Sequence, residues 1–443
     1  MDRAASSPFP RSFDTAPPVG RYVGTMLWLW LTSCTQSSSI SLGDPVDTGK
    51  AAPPAGSLVG DTARERIPGD STADTGDEPE DTDPELYLPG EIMELSLEID
   101  DDAWRSLERD GDNYAEAELG WDGRSWPVAI HIKGSSSWQE IDEKPSLVVD
   151  VNRVVPGQKF RGTSKFLLHN DCYDPSQMSE TLSYAFYRDQ GYPASRTSFA
   201  RLTVRGRDYG LYTVVEPHED AFLRDWFDDP DGNLYENADA YCDVDDLSCM
   251  EVEQEDEGSH EAMERLGEAS KRRGEAWRPA VEPLLAWGRF IDYLALEIVV
   301  VHWDSYSYDL SNYKVYHEPA TDQWTMLTQG MDLDFGYRPW SYPDCGQYGM
   351  DIDKYTMGSL AAGCHADASC KAELVARIAE LADTLEAADG AAQVRELDAL
   401  IGEAVKDDPR RYWEDRDYDT HVACLQTLFE ERPSQLREWV AAQ

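Results

Sequence analysis

The stretch that decides the fold reads His302-Trp303-Asp304, then Asn312-Tyr313-Lys314-Val315-Tyr316, then Gly330-Met331-Asp332-Leu333-Asp334-Phe335-Gly336. It places one acid, then an Asn, then a pair of acids further along the chain. Two strand-like segments, Tyr313–Tyr316 and Trp324–Leu327, flank a polar turn from Glu318 to Asp322. A hairpin there would return Asn312 and the acidic pair to one edge of a sheet.

These groups suit the transfer of a phosphoryl group. One Asp can orient and deprotonate the attacking hydroxyl, while an Asn and a second Asp hold the magnesium ions that bridge the nucleotide phosphates. A structural interpretation is equally open on these residues alone. Asp304 would then be a helix-end acid bonded to Tyr306 or Tyr308, and the later acids would cap a tight turn.

The composition limits the partners. The chain has 443 residues, of which 41 % are hydrophobic, so it can bury a large core. Acidic residues outnumber basic ones 86 to 39, for a net charge of -47. This field repels nucleic acid, so we expect no nucleic-acid partner. An anionic nucleotide would need a local basic pocket or a bound divalent metal.

The N-terminus predicts export. Arg11 and Arg21 precede a short apolar run, Met26 to Leu31, and Leu31-Thr32-Ser33-Cys34 resembles the box at which bacterial lipoproteins are lipidated. We expect residues 1–34 to be a lipoprotein signal peptide, with Cys34 as the lipidation site. The protein would lie in the bacterial cell envelope or at the cell surface, held to the membrane by its lipid anchor only. The alternative is a chance Cys after an apolar patch.

The composition of residues 35–88 predicts a disordered acidic tether. The segment is rich in Ser, Gly, Pro, Asp and Thr, and Asp-Thr recurs along it. It has too few apolar residues to offset the entropy of ordering.

Residues 89–443 predict one α+β domain, with a strand-rich lobe over 89–218 and a helical lobe over 219–443. The expected strands are Ile92–Ile99, Val128–Ile132, Ser146–Val151, Ser164–Leu168, Phe199–Val204 and Leu211–Val215. The expected helices are Asp101–Glu108, Ser176–Tyr187, Glu261–Trp277, Val281–Val301, Lys371–Gly390, Ala392–Lys406, His421–Glu431 and Pro433–Val440. Ser176 is the expected N-cap of its helix.

Two local disulfides are expected, because Cys242 with Cys249 and Cys364 with Cys370 would each close a short polar loop. Asp243-Val244-Asp245-Asp246 lies inside the first loop and offers carboxylates for Ca²⁺, although it lacks the spacing of an EF-hand.

An ordered series of motifs gives a family resemblance. It comprises Ile132-Lys133-Gly134-Ser135-Ser136-Ser137, Lys144-Pro145-Ser146-Leu147, Asp174-Pro175-Ser176, Glu180-Thr181-Leu182, Gly191-Tyr192-Pro193, Tyr209-Gly210-Leu211-Tyr212 and the stretch quoted first. Over about residues 90 to 340, the chain resembles the spore-coat CotH kinase family. The resemblance implies an atypical protein-kinase-like fold with two lobes. It also implies the transfer of phosphate from ATP to Ser or Thr of secreted or surface proteins.

The resemblance assigns roles to residues near the join of the two expected lobes. Asp304 matches the catalytic Asp, while Asn312 and Asp332 match the ligands of Mg²⁺ or Mn²⁺. Asp334 is either a second metal ligand or a hydrogen-bond partner.

Four further residues are candidates for binding the nucleotide. Lys144 is the first choice for the Lys that neutralises the phosphates, with Glu180 as its ion-pair partner. Lys133 could also meet phosphate. Glu216 could contact the adenine or the ribose, or simply bond backbone. A surface Lys on a strand is the structural alternative for Lys144.

Three functions remain open. The first is an exported Ser/Thr protein kinase. The second is a catalytically silent CotH-like scaffold or binding module, which the scarcity of ATP outside cells favours. The third is another phosphoryl or nucleotidyl transferase on the same fold. The joint presence of Lys144, Asp304, Asn312 and Asp332 favours the kinase.

Overall fold

The computed structural model describes residues 85–88, 90–237, 241–254, 259–336 and 349–443. The predicted signal peptide, Cys34 and the tether up to residue 84 lie outside the described residues. The fold is mixed α+β, as expected. The division of the domain at residues 218 and 219 stays a prediction. In the described ranges, no helix combines the length and hydrophobicity needed to span a bilayer.

The N-terminal half closes into a seven-stranded barrel, which the sequence did not predict. Its strands are β1 (Ile92–Glu98), β2 (Ala115–Trp121), β3 (Arg124–Lys133), β4 (Ser146–Asp150), β5 (Lys165–His169), β6 (Thr197–Val204) and β7 (Arg207–Val215). Their order around the barrel is β1-β2-β3-β4-β5-β7-β6, and the parallel pairing of β1 with β6 closes it. Leu97, Val128, Phe166 and Leu202 belong to its fully buried interior. Closure leaves no unpaired sheet edge.

Two helices accompany the barrel, α1 (Asp101–Arg109) and α2 (Ser179–Asp189). The expectation that Ser176 caps α2 is wrong. The Asp174 carboxylate accepts hydrogen bonds from the backbone N–H groups of Met178 at 3.0 Å and Ser179 at 2.8 Å. Ser176 donates its hydroxyl to Asp174 in the preceding turn and accepts only a longer hydrogen bond, of 3.2 Å, from the Met178 N–H. The helix therefore starts three residues later than expected, because a carboxylate further upstream satisfies its free N–H groups.

The C-terminal half, expected to be mainly helical, also contains a second sheet, of which only the β10–β11 hairpin was predicted. The sheet has the order β11-β10-β8-β9 and comprises β8 (Asn233–Asn237), β9 (Met250–Gln254), β10 (Tyr313–Glu318) and β11 (Gln323–Thr328). The helices are α3 (Asp220–Trp226), α4 (Ser259–Ser270), α5 (Trp277–Val281), α6 (Trp287–Val299), α7 (Tyr306–Asp309), α8 (Ser359–Ala366), α9 (Ala368–Ala387), α10 (Gly390–Lys406) and α11 (Asp415–Ala441). Leu182 and Phe186 of α2 pack into this half's core together with Tyr293 of α6. The helix α2 therefore links the barrel to the C-terminal helices.

Two of the predicted helices have different bounds in the structure, and both differences lie at prolines. The expected helix Val281–Val301 begins only at Trp287, after a short turn that contains Pro283. The expected break at Pro433 is absent, since α11 runs through it. Leu428, Phe429 and Leu436 are buried on either side of Pro433. Their packing compensates for the backbone hydrogen bond that proline removes.

Both expected disulfides are present. The Cα atoms of Cys242 and Cys249 lie 5.7 Å apart, and those of Cys364 and Cys370 lie 5.1 Å apart. Cys172 and Cys424 are disulfide-bonded as well.

Candidate active site

The predicted hairpin is confirmed, and it brings Asn312 to the second acidic segment. The strands β10 and β11 pair antiparallel, with Tyr313 opposite Thr328. The backbone N–H of Gln329 then donates to the carbonyl of Asn312 at 3.2 Å. Asn312 therefore lies beside the turn that carries Asp332.

Asn312 connects this turn to Asp304. Its side-chain amide donates to the backbone carbonyl of Asp304 at 2.9 Å and to the carboxylate Oδ2 at 2.7 Å. On its other side lies Gly330, where a Cβ atom would come within 2.7 Å of the Asn312 Oδ1. Gly330 also has a left-handed backbone with φ of 62°. A glycine is required there both for its conformation and for the space that Asn312 occupies.

Asp304 has the environment of a general base. It follows α6 through a bend in which Val301 adopts a φ of 58° and the backbone N–H of His302 bonds the carbonyl of Glu297 at 2.9 Å. Burial raises the pKa of Asp304 to about 6, although His302 and the Asn312 hydrogen bond oppose the shift. A carboxylate with this pKa is ionised at neutral pH and is a stronger base than an exposed Asp.

Asp332 lies in the short helical turn Met331–Leu333, which packs against α2. Burial raises its pKa to about 8, and the charges of Glu180, Asp174 and Asp304 add to the shift. These acids therefore lie near enough to Asp332 to repel its charged form.

Asp334 is buried and bonded to a histidine. It is 1 % exposed and accepts a hydrogen bond from Nδ1 of His302. Burial lowers the pKa of His302, but the carboxylates of Asp334, Glu297 and Asp304 together raise it above its ordinary value. Asp334 is thus a hydrogen-bond partner, one of the two roles expected for it, with Oδ2 left over.

The residues present fit a divalent cation. Within the part of the chain that the structure describes, Glu180 Oε1 and Asp334 Oδ2 are buried and have no hydrogen-bond partner. Carboxylate and amide oxygens are the ligands that Mg²⁺ and Mn²⁺ prefer. Asp332 and Asn312 would hold such an ion. The ion would relieve the repulsion that keeps Asp332 protonated.

The two candidate lysines differ in their partners. The predicted ion pair of Lys144 with Glu180 is wrong, because the Lys144 Nζ lies 2.6 Å from the Asp408 Oδ2. Both residues are almost fully buried. Lys133 is the lysine near Glu180, and His169 lies between them. The Lys133 Nζ is 2.8 Å from His169 Nε2, and His169 Nδ1 is 2.7 Å from Glu180 Oε2.

The chain matches the family model described as CotH kinase protein over residues 130–442. It belongs to the CotH kinase family. The match runs about a hundred residues further toward the C-terminus than the motif series and begins inside β3. The CotH domain therefore includes the helices α8 to α11, and with them Asp408. No curated protein matches the chain.

Glu216 and the loop acids of this CotH domain are engaged within the protein. The Glu216 carboxylate accepts hydrogen bonds from the backbone N, Nε and Nη2 of Arg196. Of its expected roles, the structure shows the bond to backbone. In the disulfide loop, Asp243 accepts from Tyr306 and Ser359, and Asp246 accepts from Ser248. Among the described residues, no group of three acids in this loop is arranged to hold Ca²⁺.

Four residues that surround predicted site residues of this CotH domain were missed. His169, His302, Asp174 and Asp408 all contact or influence a predicted site residue. His302 had a sequence signal, because it stands two positions before Asp304. Asp408 had none, since it lies 264 positions from Lys144.

Proposed function

We propose that this chain is an exported CotH-family protein kinase that transfers phosphate from ATP to Ser or Thr of surface or secreted proteins. The observation that carries the proposal is the Asn312 amide, which bonds Asp304 on one side and lies beside the Asp332 turn on the other. One side chain thus links the candidate base to the candidate metal ligands. A two-lobed, kinase-like arrangement would place the nucleotide between the barrel and the C-terminal half.

Different residues of the chain would have different roles in phosphoryl transfer. Asn312 fixes Oδ2 of Asp304, which leaves Oδ1 to accept the proton of the substrate hydroxyl. Lys133 brings a positive charge to the site, while Asp332 and Asn312 offer oxygen ligands. A bound Mg²⁺ or Mn²⁺ ion would neutralise the negative charge of the ATP phosphates. Positioning of the hydroxyl and the phosphate then accounts for most of the acceleration.

The test is incubation of the full-length protein with ATP labelled at the γ-phosphate and, separately, at the α-phosphate, with Mg²⁺ or Mn²⁺. The kinase proposal expects γ-label, without α-label, on the protein itself or on envelope proteins. Label from the α-phosphate would instead favour a nucleotidyl transferase. Binding of ATP with no transfer to any protein would favour the silent scaffold, and no binding would exclude both transferases.

The matched control is Asp309. Burial raises its pKa to about 6, like that of Asp304. The Asp309 charge adds to the raised pKa of Asp304, but the Asn312 amide donates to Asp304 and not to Asp309. Asp304→Asn should lower transfer by about 10²–10⁴-fold, while Asp309→Asn should keep most of it. Equal losses would indicate a general electrostatic effect and would remove the basis for assigning Asp304 as the base.

We also propose that Cys34 is lipidated and that the acidic tether holds the kinase domain away from the membrane of the bacterial envelope. The sequence of the first 88 residues supports this proposal.

A further inference from the structure

His169 lies at the end of β5 and joins two charged residues. Its Nε2 atom is 2.8 Å from the Lys133 ammonium, and its Nδ1 atom is 2.7 Å from the Glu180 carboxylate. An ammonium group only donates hydrogen bonds, and an ionised carboxylate only accepts them. Nε2 must therefore be the acceptor, and Nδ1 must carry the proton. The contacts assign a neutral ring in a single tautomer.

The fold holds this chain of three residues from both ends. Lys133 is the last residue of β3, His169 is the last residue of β5, and Glu180 lies in the first turn of α2. Glu180 is 2 % exposed, so the carboxylate end is buried. The strand β4 separates β3 from β5 in the barrel. The His169 imidazole spans the distance between Lys133 and Glu180. Without it, the two side chains would have to approach each other directly to form an ion pair.

We infer that His169 is a positioning residue, which orients Lys133 toward the nucleotide phosphates in place of a direct Lys–Glu ion pair. The identity of the phosphate ligand rests on the proposed function. A hydrogen bond to a neutral nitrogen is weaker than one to a carboxylate. Lys133 is thus fixed in direction while its charge remains available to an incoming anion.

A metal is the competing occupant of this position. Ligand atoms of His169, Asp171 and Glu180 lie within 4.8 Å of one another. Both ring nitrogens of His169 already have partners, however, and one of these is the Lys133 cation. A metal ion bound by His169 would have to displace Lys133 or Glu180.

The first experiment measures the ring directly. Proton–nitrogen correlation spectra of the full-length protein labelled at histidine nitrogens would be compared with those of His169→Gln, which identifies the His169 signals. We expect the pattern of a neutral ring protonated at Nδ1, unchanged by Mn²⁺ or Zn²⁺ alone. A ring protonated at Nε2, or one whose signals are lost on adding metal, would overturn the inference.

The second experiment measures binding of a fluorescent ATP analogue with Mg²⁺. His169→Leu removes both hydrogen bonds and should weaken binding about tenfold, as expected for loss of a hydrogen bond to a charged group. His169→Gln keeps one acceptor and one donor at similar separation, so it should rescue most of the affinity. Thermal unfolding of each variant controls for folding.

The decisive comparison is with Lys133. If His169 acts through Lys133, the double variant His169→Leu/Lys133→Met should bind no more weakly than Lys133→Met alone. Additive losses would show that His169 does not act through Lys133 and would overturn the inference. If the wild type binds no nucleotide, the proposed function fails, and the tautomer measurement alone decides whether the bridge exists.

Discussion

At the scale of single residues, the site depends on side chains that restrain one another. Asn312 is hydrogen-bonded to Asp304, His302 to Asp334, and His169 to Lys133. The sequence predicted roles for Asp304, Asn312 and Asp332 because their chemistry and spacing are distinctive, and these roles stay predictions. It ranked Lys144 above Lys133 because neither the His169 bridge nor the Asp408 partner has a local sequence signal.

The raised pKa of Asp304 predicts how transfer depends on pH. The base must be ionised to accept a proton, so the rate should rise as pH increases through about 6, the pKa of Asp304. Asp304→Asn should lower transfer by about 10²–10⁴-fold and remove this rise, while ATP binding is retained. Asp332→Asn should lose ATP binding and transfer together. Rate profiles of wild type and Asp309→Asn that lack the rise near pH 6 would contradict the assignment.

The space at Gly330 predicts a second effect. Gly330→Ala adds a Cβ within 2.7 Å of the Asn312 amide oxygen, so it should displace Asn312 and weaken metal-dependent ATP binding. Gly191→Ala is the control, because Gly191 has a similar φ of 71° but nothing within 4 Å of the added Cβ. Each substitution should cost about 1 kcal/mol of backbone strain. Calorimetric titration with Mg²⁺ and ATP should separate the two variants, and equal affinities would refute the steric argument.

At the scale of helices and strands, contacts distant in sequence set the boundaries. The sequence located most strands of the barrel and the β10–β11 hairpin, since these are strongly apolar and bounded by polar turns. It missed β2, where Glu116 and Glu118 alternate with small residues. It could not show that α11 continues through Pro433. There Arg432 is fully buried and donates to the carbonyls of Ile298 and Val299, at the end of α6 that leads to Asp304.

The start of α2 predicts how stability changes in acid. Burial opposes ionisation of Asp174, but the His421 charge and several hydrogen bonds lower its pKa to about 2. A lowered pKa stabilises the fold above the ordinary Asp pKa of about 4, and the stabilisation disappears as pH falls toward 2. Asp174→Asn should therefore reduce the free energy of unfolding by about 2 kcal/mol at pH 7. The difference from wild type should shrink below about pH 4.

Urea unfolding at a series of pH values measures this difference. Asp367→Asn is the matched control, since Asp367 caps α9 through the N–H groups of Ser369 and Cys370 but is only partly buried. Because Asn caps a helix about as well as Asp, this substitution should cost less than about 0.5 kcal/mol at every pH. A loss at Asp174 that stays constant down to pH 2 would show that charge is not the cause.

At the scale of the whole molecule, the segment after α10 fastens the C-terminal helices to the barrel. The Asp408 carboxylate accepts from Lys144 and from the backbone N–H of Leu211 in β7. Gly210 leaves the space for it, since a Cβ there would meet the carboxylate at 2.0 Å. Arg410 adds a hydrogen bond to the carbonyl of Asp208. The sequence could not predict this connection, because its partners are remote in the chain.

This connection predicts that Lys144 acts on stability. Lys144→Met leaves the buried Asp408 carboxylate unpaired and should cost about 3–5 kcal/mol. The double variant Lys144→Met/Asp408→Leu removes both charges and should recover much of this loss. Nucleotide affinity of the folded double variant should stay near that of wild type, whereas Lys133→Met should lower it. A double variant that folds stably but no longer binds ATP would restore Lys144 as the phosphate lysine.

Attachment to the membrane is a property of the whole chain, because the proposed lipid at Cys34 would determine where the folded domain lies. With a net charge of -47, the protein is repelled by anionic lipid, so electrostatic attraction would not hold it at the membrane, whereas the proposed lipid on Cys34 would. Cys34→Ser should therefore move the protein from the membrane fraction to the soluble fraction, and the wild type should resist a wash with concentrated salt. Labelling with a fatty-acid analogue should mark the wild type only. A Cys34→Ser protein that stays with the membrane through the salt wash would contradict lipidation at this residue.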